Sequence, residues 1–129
     1  MSIPESFTEA LSKPGVAVLT TLSPSGAPQS TVLWFLLEDG KIALSLNEAR
    51  QKFKNIQKDP RVSFLFVDPA NPFRTLEIRG TAVISEDEGY AFRDKVGAHY
   101  GADVTSFDAP GTKRYRVDIE ESKVVSFGE

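Results

Sequence analysis

In the stretch NEARQKFKNIQKDPR, residues 47–61, five cations stand close together: Arg50, Lys52, Lys54, Lys58 and Arg61. They are a third of the chain's fifteen Lys and Arg residues, in a protein of formal net charge -3. Asn47 is a good helix N-cap, and Ala49, Phe53 and Ile56 recur at helical spacing. The stretch therefore predicts a helix with one buried stripe. Arg50 and Lys52 fall in its first turn or so, at the two borders of that stripe. Free backbone N–H groups and the helix dipole favour an anion at such an end. A guanidinium fork beside a compact ammonium suits a phosphate. Lys54 and Lys58 point outward, where solubilising lysines stand. Two readings stay open at this level, a phosphate site or a solvated charged face, and no Gly-rich phosphate loop accompanies the cluster.

Other reactive side chains are scarce. The chain has no cysteine, which excludes disulfides, thiolate metal sites and thiol chemistry. His99 is the single histidine, so a histidine metal site or a Ser-His-Asp triad has one candidate at most. Its setting, GAHYG, predicts a surface or helix-end position. A pI near 5.2 argues against nucleic acid as a partner. Arg114, Tyr115 and Arg116 are too few for an oligonucleotide-binding face. No apolar run reaches about 18 residues, so no membrane span is expected. MSIPESFTEAL carries Glu5 and Glu9 and no basic region; no secretory signal is expected, and a cytoplasmic location is.

The elements that must position these residues are mostly strands. The 129 residues fit one domain, 1–129. Ser2 and Pro4 predict the start of a short N-terminal helix carrying Ile3, Phe7 and Leu11. Alternation and β-branched content predict strands at 16–22, 29–37, 41–46, 61–67 and 74–85, then KRYRVDIE and KVVSF. Asp39-Gly40 is a strong hairpin signal. Gly80 predicts a bend or bulge. Residues 86–100 predict a helix, and 101–112 an irregular segment. Tight turns between the first three strands exclude parallel units, and an antiparallel barrel is the expected closure. Both faces of QSTVLWFLL are apolar, so the face outside the barrel needs cover, from helices or from a second copy of the chain. Trp34 is a core or interface aromatic, or a ring-stacking partner. Glu77 and Arg79 share a strand face, as an ion pair or as substrate contacts. Phe73 and Arg74 are a loop anchor, or reach a cofactor held by a neighbouring subunit.

The motifs TTLSPSGAPQSTVLWF, RQKFKN and KDPRVSFLFVDPANPFRTLEIRGTA, in that order, resemble the pyridoxamine 5′-phosphate oxidase-like superfamily, and within it the F420-dependent flavin/deazaflavin oxidoreductase B group. The resemblance runs from about Val16 to Ile84 and more weakly to the end. It implies a mainly β fold: an antiparallel split β-barrel of the FMN-binding type with peripheral helices, homodimeric, with the cofactor at the dimer interface. It implies that Arg50 and Lys52 hold the cofactor phosphate with Asn55 beside them. Gln29, Ser30 and Thr31 would follow the ribityl chain and ring, and Ser45 would lie near the phosphate. Pro28 matches the turn that presents the strand. The cofactor expected is F420, with FMN the alternative. Deazaflavin or flavin chemistry needs no protein nucleophile. The expected activity is hydride transfer from reduced F420 to a small unsaturated molecule. A non-catalytic cofactor or tetrapyrrole carrier is the rival. True pyridoxamine-phosphate oxidases carry longer C-terminal segments, which points away from that substrate. Lys54 and Lys58, and Arg61 with them, would attract the oligoglutamate tail of F420.

Overall fold

Alternation builds most of the sheet in the computed structural model, which describes residues 2–128. The strands are β1 (Ala17–Leu22), β2 (Pro28–Leu33), β3 (Leu36–Glu38), β4 (Lys41–Asn47), β5 (Arg61–Val67), β6 (Thr75–Glu86) and β7 (Arg114–Phe127). They form one sheet in the order β2-β1-β5-β6-β7-β4-β3, and every pairing is antiparallel. Three short helices stand around it: α1 (Thr8–Leu11), α2 (Gln51–Lys58) and α3 (Ala91–Tyr100). Leu19, Phe64, Phe66, Leu76, Ile78, Val117 and Ile119, all nearly inaccessible, fill the inner face. Phe7, Leu11, Phe53 and Ile56 from the helices close it. Burying each such side chain stabilises by about 1.5–3 kcal/mol.

The two edges of the sheet come from one expected strand. Residues 29–37 do not run straight through; they divide into β2 and β3 at Trp34–Phe35. Phe35 turns into the core, where its ring meets Phe64 and Phe66 edge-on. The Tyr100 hydroxyl holds the break open. It accepts from the Phe35 amide at 3.0 Å and donates to the Gly15 carbonyl at 2.6 Å. The barrel is thereby split, with β2 on β1 and β3 on β4.

A helix covers part of the outer apolar face. Leu36 and Ala43 are buried beneath Phe92 and Val96 of α3, so a helix covers β3 and β4. Val32, on β2, remains 62% exposed. The register sets it in a row with Val18, Leu65, Glu77 and Val125 across five strands.

Local signals place the turns well. Asp39 and Gly40 both take positive φ, as a two-residue hairpin turn of the primed type requires. At Gly80 the β6–β7 register shifts, and a Cβ there would lie 2.1 Å from the Glu120 carbonyl oxygen. The two expected C-terminal strands are one, because that bulge lets β7 bend and continue along β6. The N-terminal helix begins later than Ser2, as a 3-10 turn after Pro4 that runs into α1.

Candidate functional site

The Asn47 side chain does not start the helix. Asn47 ends β4, and its Oδ1 accepts the Ala49 amide at 2.7 Å, closing a turn. The helix begins at Gln51, with Arg50 in extended conformation at its N-cap position. Ala49 is exposed, and the buried side of α2 is Phe53, Asn55 and Ile56. The reason is local: an Asx turn and a helix cap use the same carbonyl-to-amide bond, and here the turn comes first.

Arg50 and Lys52 nevertheless meet at one end of a cavity of about 480 Å³. That volume lies within the roughly 300–1,000 Å³ of small-molecule sites. Lys52 Nζ donates to Thr31 Oγ1 at 3.1 Å. Among the described residues neither cation has a carboxylate within ion-pairing distance. Burial pushes the Lys52 ammonium below the ordinary lysine range, and the neighbouring Arg50 charge adds to the effect. A half-buried cation beside another cation, satisfied only by a hydroxyl, is matched by an added anion.

Apart from Ser45 and Asn47, the other walls are apolar or cationic. Trp34 stacks on Tyr100, rings parallel within 5° and 4.3 Å apart, and Phe107 leans on Trp34 at 6.1 Å. Val96, Val104 and Val16 complete a surface suited to a flat ring system. Arg93 and Arg114 line the cavity too, and no Asp or Glu does among the described residues. Behind them lies Asp108, its side chain 5% exposed, with Arg114 gripping both oxygens at 2.8 Å. Arg114, with help from Asn47, holds the Asp108 carboxyl below the usual range. Arg114 Nη1 reaches the Ser45 carbonyl and hydroxyl oxygens, each at 3.2 Å. A phosphate at the Arg50–Lys52 end and a planar ring among Trp34, Phe107 and the valines fit this donor set.

Residues 3–126 match the pyridoxamine 5′-phosphate oxidase family. The chain belongs to that family. An F420 reductase of known structure is 30% identical, with 95% of this chain and 98% of that one covered and a TM-score of 0.85. A conserved hypothetical protein from Mycobacterium tuberculosis is 27% identical, with 98% and 86% covered and a TM-score of 0.76. A heme storage protein from Vibrio cholerae shares the fold at 15% identity, with 99% and 96% covered and a TM-score of 0.74. No curated protein matches the chain. The family is one of flavin-type oxidoreductases, and the split barrel is its fold.

Of the site residues expected from the resemblance, Thr31, Ser45, Arg50 and Lys52 line the cavity. Asn55 and Gln29 do not. Asn55 is 1% exposed, and its Nδ2 donates to Thr21 Oγ1 at 3.0 Å and Gln29 Oε1 at 3.1 Å. Gln51 Nε2 donates to Asn55 Oδ1 at 2.9 Å. This network ties α2 to β1 and β2, and so fixes the helix from which Lys52 extends. Ser30 points away from the cavity and exchanges a hydrogen bond of 2.8 Å with Thr20. By period-two alternation Gln29 and Thr31 share the opposite face of β2.

The remaining candidates divide as simply. Trp34 is a cavity wall and a stacking partner of Tyr100. Glu77 and Arg79 form an ion pair at 3.0 Å, and Ser63 donates to Glu77. Arg74 pairs with Asp68 and covers the Phe7 ring at 4.1 Å, so it anchors its loop, while Phe73 is exposed. His99 lies near the end of α3, edge-on to Tyr100. Lys54 and Lys58 are exposed, and Arg61 pairs with Asp59 at 2.7 Å. No helix among the described residues is long and apolar enough to cross a membrane. The sequence did not single out Arg93 or Asp108, and it offered Arg114 only as one of too few residues for an oligonucleotide-binding face. Their one available signal was Asp108, an acid between apolar residues in an otherwise irregular segment.

Proposed function

We propose that this chain is an F420-dependent reductase that passes a hydride to a small unsaturated organic molecule. The observation that carries this reading is the Arg50–Lys52 pair: two cations that, among the described residues, have no carboxylate partner and stand at one end of an aromatic-walled cavity lined by no acid. The 30% identity to an F420 reductase over nearly the whole of both chains supports the deazaflavin. In this reading Arg50 and Lys52 bind the phosphate, and the Thr31 and Ser45 hydroxyls flank it. Trp34, Phe107, Val96 and Val104 orient the ring and exclude water. Hydride chemistry is supplied by the cofactor when bound.

The same reading makes the protein a homodimer. Val16, Val32 and Phe107 line the cavity while each is more than half exposed, and Val32 continues into the row of Val18, Leu65, Glu77 and Val125, apolar but for Glu77, on the outer sheet. A second copy laid on that row would close the cavity.

Titration of apo-protein with F420 and with FMN, followed by fluorescence, tests the assignment. F420 binding at least ~10-fold tighter is expected. Tighter FMN binding replaces the deazaflavin by the flavin. Tight binding without turnover on a panel of acceptors makes the protein a carrier, and binding of neither cofactor overturns the reading.

A further inference from the structure

Asp108 belongs to the irregular segment between α3 and β7, yet its contacts reach the parts of three elements that wall the cavity. Arg114, at the start of β7, binds both of its oxygens at 2.8 Å. Asn47, at the end of β4, donates to Oδ1 at 2.9 Å. Arg93, on α3, lies 3.7 Å from Oδ2. An ionised carboxylate only accepts hydrogen bonds. The Asn47 amide must therefore turn its Nδ2 toward Asp108, which leaves Oδ1 facing the Ala49 amide, 2.7 Å away. The Arg50 amide in turn binds the Asn47 carbonyl at 3.2 Å. One buried acid thus dictates the amide orientation that closes the turn before Arg50.

We propose that Asp108 is a positioning residue for the anion end of the cavity: through Asn47 it sets the turn that presents Arg50, and through Arg114 it fixes Ser45. The role rests on the phosphate reading of Arg50 and Lys52, but it differs in kind from binding, because Asp108 does not line the cavity. It also opposes simple electrostatics. A carboxylate beside the Arg93 and Arg114 guanidiniums of the cavity wall weakens the site's pull on an anion, so an electrostatic role alone predicts that neutralising Asp108 tightens phosphate binding. A positioning role predicts the opposite sign.

The test uses Asp108→Asn and Asn47→Ala in the whole chain, with two matched probe pairs: FMN against riboflavin, and F420 against its phosphate-free core, 8-hydroxy-5-deazariboflavin. Each variant is expected to weaken the phosphate-bearing member ~10-fold and its phosphate-free partner by less than about 2-fold. Amide hydrogen exchange at Ala49 is expected to quicken in both variants. Tighter binding of the phosphate-bearing probe, or equal loss for both members of a pair, overturns the proposal. If Asp108→Asn does not fold, Asn47→Ala decides by the same criteria, since it leaves the Asp108 pairs in place. If the wild type binds no phosphate-bearing probe, the functional reading fails. The positioning claim is then judged on Ala49 exchange in Asp108→Asn, or in Asn47→Ala where the former does not fold, and unchanged exchange sinks it.

Discussion

Two groups of cations behave in opposite ways. On the outer side of the barrel Arg116 meets Glu38 at 2.9 Å and Asp118 at 3.0 Å, covers the Phe92 ring at 4.5 Å, and shares Glu38 with Lys95. Every charge in that group has a partner, and the group fastens α3 to β3 and β7. At the start of α2, Arg50 and Lys52 have no such partner among the described residues, although Lys52 is half-buried. A sequence shaped for stability alone would place a carboxylate beside Lys52. Its absence among the described residues supports the proposal that the α2 cations are held for a ligand, while the Arg116 group is held for the fold.

Replacing Arg50 and Lys52 together by Ala should separate the groups most sharply. Phosphate-cofactor affinity is expected to fall by ~100-fold or more, as two charge-assisted contacts are lost, without loss of stability in urea denaturation. Arg116→Ala should do the reverse. It is expected to cost about 1–2 kcal/mol of stability, reduced from the full value of a charged hydrogen bond by its partial exposure, and to leave cofactor affinity unchanged. Lys95 chiefly, and Arg116 with it, hold the Glu38 carboxyl below its usual 4.5. That contribution is complete above pH 4.5 and is lost as pH falls through the lowered value. A smaller effect comes from Lys52→Met, which removes a half-buried charge and is expected to raise stability by about 0.5–1 kcal/mol at pH 7. Because the Lys52 value in the folded protein lies below 10.5, the penalty is full at neutral pH. It fades as pH rises toward 10.5, so the gap between variant and wild type should close on alkaline titration. The smallest change belongs to Lys54→Ala with Lys58→Ala. F420 affinity should drop less than about 5-fold at low salt and not at all at high salt, with FMN untouched. Equal effects on both cofactors would remove these lysines from any contact with the glutamate tail.

What was legible in the sequence was local. The Asp39-Gly40 hairpin, the Gly80 bulge and the cation pair each declare themselves within a few residues. The division of residues 29–37 does not, because every residue there is a good strand former and the cause, Tyr100, lies 65 residues away from Phe35. Asn47 misleads for a different reason: its side chain makes the bond that a helix cap would make, one turn too early. Asp108 was hidden because a buried acid in an irregular segment looks like any loop acid until Arg114 and Asn47 are brought to it.

The strand division has a consequence in time. The contacts that hold it, from Tyr100 to Gly15 and to Phe35, span 85 and 65 residues of chain. Contacts this distant close late, after hairpins such as β3–β4 have formed. The aromatic wall at Trp34, the chain's one tryptophan, is therefore among the last surfaces to take shape. A nascent barrel would have its local hairpins before it had either the β4–β7 pairing that joins its sheet or a finished cavity.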